Sequence, residues 1–386
     1  MKFKHMFCLV LIILISMSAL SGCVRQEEES IQDTTSQNES AETSNENSDT
    51  LSNENSDALS DVTSDIVDEI EDESLKNFDD KNIILKLGLM SDLHFDAINT
   101  YTDNYKNNTA IVQTAVNFMK NKLGEDSMPA IVIGGDVINW NGLADLRMAK
   151  AAFEECLDPA KTELIPTVGN HDDWCTNNAE PVDDELSQKK VFVDYNLFDE
   201  VLGDYVYQNP ISTIPEDLLV QGYYHTSFNG VHILTIVGVD GNHGSYALNL
   251  MKKELDKIRE SSDAGMPVFV VTHVPPRNTV IGTHVESGRW TSDTIANSLK
   301  DYPEVVLLTG HTHAKADTQE IFWQEDGFSV LHCGPLGSGD HFFATLEIDS
   351  KGCVRYSGYQ VIADSQTKNG WDVKKLPGLR FAFEIN

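Results

Sequence analysis

Short apolar runs alternate with amphipathic segments throughout residues 81–386. The apolar runs are rich in Val, Ile and Leu, and they span residues 83–90, 130–134, 164–169, 231–239, 267–273 and 305–310. Between them, apolar side chains recur every three to four residues at Ile111, Ala115, Met119 and Leu123, and again at Leu248, Met251, Leu255 and Ile258. Near-continuous apolar strands separated by amphipathic helices indicate a sheet whose faces are covered by helices, so the pattern predicts an α/β fold.

The pattern changes towards the C-terminus, where strand-like runs follow one another with only short turns between them. These runs span residues 327–333, 342–349 and 354–361. Strands joined by tight turns pair antiparallel, so the runs predict a second, more antiparallel sheet. We see no repeat and no linker within residues 81–386, and we treat them as one domain. Residues 175–222 form a polar and aromatic insertion to which the pattern assigns no structure.

The first 23 residues have the organisation of an export signal. Two lysines precede an apolar run at residues 7–15, which is shorter than the roughly 20 residues that span a bilayer. The run is followed by Leu20-Ser21-Gly22-Cys23, and this ending resembles a bacterial lipoprotein signal. The resemblance implies that residues 1–22 are a signal peptide and that Cys23 is the lipidated N-terminus. The alternative is a signal helix in which the cysteine has no role.

The following segment, up to residue 80, is interpreted as an acidic, disordered tether. Residues 24–80 hold 19 acidic and two basic side chains, a net charge of −17, and they are rich in Ser, Asn and Thr. Such a composition buries too little apolar surface to offset chain entropy. The whole chain has a net charge of −33, which disfavours binding to a nucleic-acid backbone. We therefore expect an exported protein, lipid-anchored to a bacterial membrane at the cell surface or in the envelope.

Four cysteines remain in the folded part, at positions Cys156, Cys175, Cys333 and Cys353. An exported domain is exposed to oxidising conditions, and three pairings of four cysteines are open. The sequence contains no Cys-x-x-Cys string, so a thiolate zinc site and a thioredoxin-type redox site are both disfavoured.

Asp, His and Asn residues follow five of the apolar strands. The strings are Asp92-Leu93-His94, Gly135-Asp136, Gly169-Asn170-His171-Asp172, Thr272-His273 and Gly310-His311-Thr312-His313. Open α/β sheets bind ligands at the carboxyl ends of their strands, so these side chains are expected to meet at one edge. Oxygen and imidazole donors without thiolates suit two divalent ions such as Mn, Fe or Zn.

This ordered set of strings resembles the calcineurin-like metallophosphoesterase superfamily over nearly all of residues 83–360. The resemblance implies the metallo-dependent phosphatase fold, a four-layer α-β-β-α sandwich of two mixed sheets flanked by helices, and a two-metal hydrolase. It also implies that Asp136 bridges the metals and that His171, beside Asp172, faces the substrate. The implied ligands are Asp92, His94 and His313 for the first metal, and Asn170, His273 and His311 for the second.

The chemistry of a two-metal centre agrees with these roles. Two divalent ions that share a water lower its pKa towards neutrality, so a metal-bridging hydroxide can attack a phosphate ester. Two aspartate ligands leave the centre positively charged, so an acidic protein can still attract this substrate. Because Asn170 already fills the neighbouring ligand position, His171 is available to donate a proton to the leaving oxygen, with Asp172 to orient it. A second Gly-Asn-His string at 241–243 is less suitable, because no aspartate follows it.

Other histidines and arginines have weaker signals. Arg277, His284 and Arg289 lie in the loop after His273, from which they could bind a phosphate oxygen, and the alternative is an ordinary surface loop. Four histidines lie in or beside strands without a partner motif and are interpreted as structural: His225, His232, His332 and His341.

Departures from known subgroups of the superfamily narrow the expected function. Purple acid phosphatases carry a Tyr three residues after the aspartate of the Gly-Asp string, and protein serine/threonine phosphatases carry Asp-Arg-Gly there, whereas this chain has Asn139-Trp140-Asn141. Secreted 5′-nucleotidases add a large C-terminal domain, whereas 73 residues follow His313. The group that remains resembles small phosphodiesterases.

The sequence therefore predicts a surface-anchored, metal-dependent phosphoric ester hydrolase that favours phosphodiesters somewhat over monoesters. The alternative is a catalytically silent surface module of the same fold that binds a phosphorylated glycan or lipid. Such a module has no use for a proton donor at His171, and the complete ligand set therefore favours the enzyme.

Overall fold

The computed structural model describes residues 72–97, 107–139, 142–173, 195–211, 223–237, 245–284, 291, 293–315, 320–325 and 327–385. The predicted signal, Cys23 and the tether up to residue 71 lie outside these residues, as do Cys175 and the second Gly-Asn-His string. Among the helices within them, none combines the length and the apolar character that crossing a membrane requires.

Twelve strands in the described part of the chain form two six-stranded sheets. In chain order they are β1 (Ile83–Met90), β2 (Ala130–Ile133), β3 (Glu163–Pro166), β4 (Tyr223–Phe228), β5 (Val231–Ile236), β6 (Val268–Val271), β7 (Val305–Thr309), β8 (Phe322–Gln324), β9 (Ser329–His332), β10 (Phe342–Asp349), β11 (Val354–Ala363) and β12 (Trp371–Phe383).

Both sheets are mixed. The first has the order β12-β11-β10-β1-β2-β3, with β1 to β3 parallel and β10 to β12 antiparallel. The second has the order β4-β5-β6-β7-β9-β8, with four parallel strands in the middle and antiparallel β4 and β8 at the edges. Strand β7 is buried along its whole length, which explains why the central strands are apolar at successive positions.

Helices pack on the outer faces of the two sheets. The helices are α1 (Asn108–Leu123), α2 (Leu143–Glu154), α3 (Asn170–Asp173), α4 (Tyr195–Leu202), α5 (Ser245–Arg259) and α6 (Asp293–Leu299), and 3₁₀ helices span Glu73–Asn77, Glu125–Ser127 and Gly203–Tyr205. Along β6, Phe269 belongs to the core that the two sheets share, whereas Val268 and Val270 pack with Met251 of α5. Ile111 of α1 packs in the core of the first sheet. The layers therefore run helix, sheet, sheet, helix, which confirms the predicted four-layer α/β sandwich.

The assignment of the last strand-like runs to a separate antiparallel sheet is wrong. Strand β9 joins the second sheet beside β7 and parallel to it, whereas β10 and β11 extend the first sheet. The connection at residues 333–341 crosses from one sheet to the other, and a hydrophobic pattern does not record such a crossing. The more antiparallel half is therefore one side of the first sheet.

The folded part also begins before residue 81, the predicted boundary. Glu73–Asn77 forms a 3₁₀ helix, and Phe78 packs with Cys353 and Ala382. The guanidinium of Arg355 pairs with Asp80. Residues 72–80 are therefore part of the domain and not of the tether, because an apolar ring and an ion pair attach them to β11 and β12.

The three cysteines within the described residues are all free thiols. Cys156, Cys333 and Cys353 are buried and form no disulfide with one another. Burial raises the pKa of the Cys156 thiol to about 12 and that of Cys353 to about 11. These thiols therefore stay protonated at neutral pH and act as small apolar side chains.

Candidate metal centre

The predicted ligands lie just beyond the carboxyl ends of five parallel strands. They are Asp92 and His94 after β1, Asp136 after β2, Asn170 after β3, His273 after β6, and His311 and His313 after β7. The structure brings all seven side chains together, and ligand atoms from different strands lie 3.1–3.3 Å apart. The two sheets therefore meet at a single cluster of Asp, His and Asn side chains.

Five of these residues have a left-handed backbone conformation. The φ angles are 50° at Asp92, 45° at His94, 53° at Asp136, 73° at His311 and 47° at His313. Residues with a Cβ rarely adopt this region, and each instance costs roughly 1–3 kcal/mol. Backbone strain concentrated in this way is typical of functional sites, where the surrounding fold holds side chains in a fixed direction.

Glycines of the motifs leave space in which the loops meet. A Cβ on Gly310 would lie 2.6 Å from the carbonyl oxygen of Gly134 and 2.9 Å from Asp92 Oδ2. A Cβ on Gly135 would lie 2.5 Å from His273 Nδ1, and its φ of 91° also suits glycine. Glycine is therefore required before His311 and before Asp136, because the loops of the two sheets pack closely at these positions.

The first group of donors consists of Asp92, His94 and His313. His313 Nε2 lies 3.2 Å from His94 Nε2 and 3.3 Å from Asp92 Oδ1. Asp92 is held by the backbone N–H of His311, 3.1 Å from both carboxylate oxygens, and by Ser91, whose Oγ–H donates to Oδ2 at 2.6 Å. These bonds fix the position of the carboxylate.

The second group is centred on His273, which is fully buried. His273 Nδ1–H donates to the carbonyl oxygen of Gly134 at 2.7 Å, and this bond leaves the Nε2 lone pair directed at the centre. Three atoms lie 3.1 Å from that Nε2: Asn170 Oδ1, His311 Nδ1 and Asp136 Oδ2.

Asp136 lies between the two groups. Among the described residues, three sets of donors are close enough to hold a metal ion: Asp92, His94 and His313; His94, Asp136 and His171; and Asp92, Asp136 and His273. Asp92, His94 and Asp136 each belong to two of these sets, and His171 belongs to one. The bridging role of Asp136 and the ligand roles of the others stay predictions.

The spacing of the donor atoms is explained better by coordination of divalent metal ions than by hydrogen bonds among the donors themselves. Because His273 Nδ1–H is already bonded to the Gly134 carbonyl, at most one proton, on Nε2, is available for the three atoms that lie 3.1 Å from it. Ligands bound about 2.1 Å from one ion are separated by about 3 Å, which is the spacing seen here. Imidazole, carboxylate and amide donors suit Mn, Fe or Zn without selecting among them.

Both aspartates of the centre are held in the charged form. Burial of Asp92 favours the neutral acid, but the hydrogen bond from His313 and the nearby imidazoles lower its pKa well below the usual range. Burial also opposes ionisation of Asp136, and the adjacent His273 imidazole outweighs it, so the pKa of Asp136 is lowered as well. The centre therefore offers two negative charges to a cation.

The histidines differ in protonation. Burial lowers the pKa of His94 and the pKa of His311 to about 3, so both rings are neutral at pH 7. Burial acts in the same direction on His273, but the Asp136 carboxylate overcomes it and raises the pKa of His273 to about 9. A protonated His273 thus places a positive charge in the cluster, and a metal ion bound through Nε2 would displace that proton.

Comparison with known proteins identifies the family. The model of the calcineurin-like phosphoesterase family matches residues 85–315, which is more than half of the chain and includes all seven clustered ligands. This chain belongs to the calcineurin-like phosphoesterase family. The resemblance to calcineurin-like metallophosphoesterases that the sequence indicates is thereby confirmed. Members of this family use two metal ions and act on phosphoesters. No curated protein matches the phosphoesterase.

Solved structures similar to the phosphoesterase are distant in sequence. Purple acid phosphatase PPD1 from yellow lupin (Lupinus luteus) seeds has 12% identity and a TM-score of 0.48, with 75% of this chain and 53% of that chain covered. A candidate 5′-nucleotidase from Staphylococcus aureus has 12% identity and a TM-score of 0.41, and the match covers 78% of this chain and 54% of the nucleotidase chain. A protein serine/threonine phosphatase from Saccharomyces cerevisiae has 11% identity and a TM-score of 0.33, and the match covers 76% of this chain and 80% of the phosphatase chain. The chain spans about half the length of the first two.

His171 of the phosphoesterase lies beside the predicted metal ligands, its ring centroid 4.6 Å from that of His94. Its Nδ1–H donates to the Asn139 carbonyl oxygen at 3.0 Å, which fixes the orientation of the ring. Asp172 accepts backbone N–H groups of the loops after β2 and β3, from Ile138 at 3.1 Å and from Gly169 at 2.8 Å. Burial and a neighbouring carboxylate raise the pKa of Asp172 to about 8. Asp172 thus ties these loops together, and its orienting role stays a prediction.

The predicted substrate residues belong to the loop after β6, which borders the centre. A Cβ on Gly282 of this loop would lie 2.9 Å from the Cβ of Thr312, the residue between two of the ligands. The guanidinium of Arg277 lies 3.6 Å from Asp293 of α6, and His284 is exposed. Arg289 lies outside the described residues. The substrate role of these three residues stays a prediction.

Sequence reasoning missed several residues that support the ligands. Ser91 donates to Asp92, the Asn139 carbonyl fixes His171, and Asn108 of α1 contacts the turn that carries His94. Ser91 and Asn139 lie next to or near ligands in the sequence, and this proximity is a usable signal. Asn108 has no such signal, because only the packing of α1 brings it to the turn.

Proposed function

We propose that this phosphoesterase is a membrane-anchored, two-metal enzyme that hydrolyses phosphate esters, with phosphodiesters favoured over monoesters. The observation that carries the proposal is the convergence of seven Asp, His and Asn side chains from five strand ends, with Asp136 between the two groups. A family member with this arrangement has what phosphoester hydrolysis requires.

The protein's own residues have separate tasks in this proposal. Two divalent ions, when bound, lower the pKa of a water and stabilise the charge on phosphate oxygens. The carboxylates of Asp92 and Asp136 bring only two negative charges, so the loaded centre stays positive and attracts an anionic ester to an acidic protein. His171 donates a proton from Nε2 to the leaving oxygen, while its Nδ1–H stays on the Asn139 carbonyl.

Two parts of the proposal are supported by the sequence. The preference for diesters follows from Asn139, which stands where purple acid phosphatases have a tyrosine, and from the missing Asp-Arg-Gly string of protein phosphatases. Anchoring is supported by the Leu20-Ser21-Gly22-Cys23 ending, which resembles a lipoprotein signal with a lipid on Cys23 and an exported enzyme.

The test uses the full chain purified in detergent and loaded with Mn²⁺. We expect a higher kcat/KM for bis(p-nitrophenyl) phosphate than for p-nitrophenyl phosphate, and a panel of cyclic nucleotides then narrows the substrate class. Asp92→Asn, purified in parallel, should lose this activity, which controls for a contaminating phosphatase. A preference for the monoester would correct the substrate class. Full metal loading without hydrolysis of any ester would instead indicate a silent binding module.

A further inference from the structure

The turn that carries Asp92 and His94 has a complete set of hydrogen bonds to its carbonyl groups. Backbone N–H groups serve three of the five successive carbonyls: Leu336 N–H bonds Ser91 O, Gly337 N–H bonds Asp92 O, and Asn139 N–H bonds Phe95 O. No backbone donor of the described residues serves the two remaining carbonyls, those of Leu93 and His94. Both residues are fully buried, where carbonyl oxygens are as a rule hydrogen-bonded.

Asn108 is the donor to both oxygens. Its Nδ2 lies 2.6 Å from the Leu93 carbonyl oxygen and 3.0 Å from the His94 carbonyl oxygen. Only the NH₂ end of the amide can face two carbonyl groups, so both of its protons are used. Asn108 is the first residue of α1 and is fully buried, while the preceding Asn107 occupies the N-cap position. The Asn108 side chain therefore serves the metal-ligand turn and not the helix end.

The turn depends on this contact because of its conformation. His94 has a φ of 45°, which is strained for a histidine, and its ring nitrogen Nε2 lies within 3.2 Å of His313 Nε2 in the first group of donors. The backbone N–H of His94 bonds the carbonyl of Asp136, so the turn is held on one side by β2's loop and on the other by Asn108. Without the amide, the carbonyl of this left-handed residue would lose its hydrogen bond to Asn108.

We infer that Asn108 is a positioning residue of the first metal site: it holds the Leu93 and His94 carbonyls so that the His94 ring reaches the metal. The inference rests on the proposed function, because it requires that the cluster binds two ions. Partners that orient a ligand typically contribute 10–100-fold to metal affinity. Loss of the amide should therefore weaken one of the two sites and spare the other, whose predicted ligands follow β3, β6 and β7.

The test compares Asn108→Leu, which keeps the shape but removes both donors, with Asn108→Ser, which is smaller and keeps one. Gln113→Leu is the matched control, because Gln113 lies on the same helix and its amide also donates to a carbonyl, that of Ala152, far from any ligand. Mn²⁺ binding to the full chain in detergent is measured by calorimetry, the spin coupling of the ions by electron paramagnetic resonance, and the thermal midpoint of the metal-free protein by calorimetric scanning.

For Asn108→Leu we expect one binding step to weaken 10–100-fold, the other to stay as in the wild type, and the coupled signal to give way to that of a single ion. Asn108→Ser should weaken the same step less, and it serves as the readout if the leucine variant does not fold. Gln113→Leu should lower only the thermal midpoint. Wild-type affinity at both steps in the Asn108 variants would overturn the inference alone. A wild-type protein that binds no Mn²⁺ would overturn the proposed function first.

Discussion

At the scale of single residues, the candidate metal centre costs folding free energy, and most of this cost is backbone strain. Five ligands occupy the left-handed region at roughly 1–3 kcal/mol each, and two of them, Asp92 and Asp136, also bury a carboxylate. The metal-free cluster offsets part of this cost with hydrogen bonds and with a proton on His273. Because a cation replaces that proton and attracts both carboxylates, metal binding should also stabilise the fold.

The first prediction at this scale concerns Asp136→Asn. The amide keeps the shape of the side chain but removes one negative charge from the position between the two groups, so the metal content of the Mn²⁺-reconstituted protein and the hydrolysis rate should both fall. His94→Ala should affect mainly one site. Elemental analysis checks both variants, and Asp263→Asn, an aspartate paired with His232 in another part of the fold, is the control. Fewer than about one metal per chain in the wild type would contradict a two-metal centre.

The second prediction concerns His171→Ala. A general acid matters in proportion to how poor the leaving group is, because p-nitrophenolate departs without a proton whereas an alkoxide does not. The variant should lose about 10²–10⁴-fold in kcat on alkyl phosphate esters, and clearly less on nitrophenyl esters. Its metal content should stay near the wild-type value.

The comparison with a ligand variant makes this prediction specific. His311→Ala should lower the rate on both ester types together with metal occupancy. Equal losses on alkyl and nitrophenyl esters in metal-loaded His171→Ala would show that His171 positions the phosphate and donates no proton. His171 also belongs to one of the donor sets, so a loss of metal in this variant would make it a ligand instead.

At the scale of secondary-structure elements, the β4-β5 hairpin and α5 share a buried chain of histidines and acids. His232 Nε2–H donates to Asp263 at 3.1 Å, so its Nδ1 accepts the Nε2–H of His225 at 2.9 Å. The remaining nitrogen of His225, Nδ1, has no hydrogen-bond partner within the described residues and lies 3.8 Å from a carboxylate oxygen of Glu254. The other oxygen of Glu254 pairs with Lys257, and the ring of Tyr223 lies edge-on to His225.

This arrangement predicts a pH dependence of stability. Burial, the adjacent His232 and Lys257 lower the pKa of His225 to about 3, whereas an unfolded histidine has a pKa of 6.5. The unfolded chain therefore binds a proton that the folded chain resists, so the stabilisation is fully present above pH 6.5 and is lost as the pH falls towards 3. At pH 5 the loss from this one group is about 2 kcal/mol.

His225→Phe removes the titrating group and should flatten this dependence. Thermal midpoints of the metal-free wild type and variant are compared between pH 7.5 and pH 5, so that the contribution of the metal ligands is common to both proteins. His284→Phe, an exposed histidine, is the control. An unchanged dependence in the variant would mean that His225 is protonated in place, with Glu254 as its partner.

The same elements show why part of the fold can be predicted from the sequence. The apolar pattern predicts β1 and β10 residue for residue, because these central strands are apolar and buried over most of their length. It misses β4, whose sequence Tyr-Tyr-His-Thr-Ser-Phe is mostly polar or aromatic, and β12, a half-exposed edge strand with two lysines and a proline. Edge strands are defined by their neighbours rather than by their own hydrophobicity.

The candidate site follows the same rule. Its predicted ligands can be found from the sequence because side chains that follow parallel strands of one sheet lie at the same edge of that sheet. The apolar pattern does not show that the edges of two sheets, one with β1 to β3 and one with β6 and β7, meet at this cluster. Asn108 could not be predicted, because it is 14 residues from His94 and acts on backbone carbonyls. Contacts of a side chain with the backbone of another element leave no trace in a hydrophobic pattern.

At the scale of the whole molecule, the negative charge is concentrated next to the proposed lipid anchor. More than half of the net charge of −33 lies in residues 24–80, between Cys23 and most of the catalytic domain. Anionic lipid headgroups repel such a segment.

Anchoring itself can be tested at Cys23, because attachment through a thioether needs its sulfur. Two acyl chains hold a protein stably on a membrane, whereas one chain holds it only marginally. Cys23→Ser should therefore lose incorporation of labelled fatty acid and pass from the membrane fraction to the soluble fraction. Cys8→Ser, in the apolar run of the signal, is the matched control and should keep the label.

The soluble Cys23→Ser protein should hydrolyse small esters at the wild-type rate, because no predicted ligand of the centre lies in the first 80 residues. Continued labelling of Cys23→Ser would refute the lipoprotein hypothesis and leave the two-metal proposal untouched, since the two rest on separate parts of the chain.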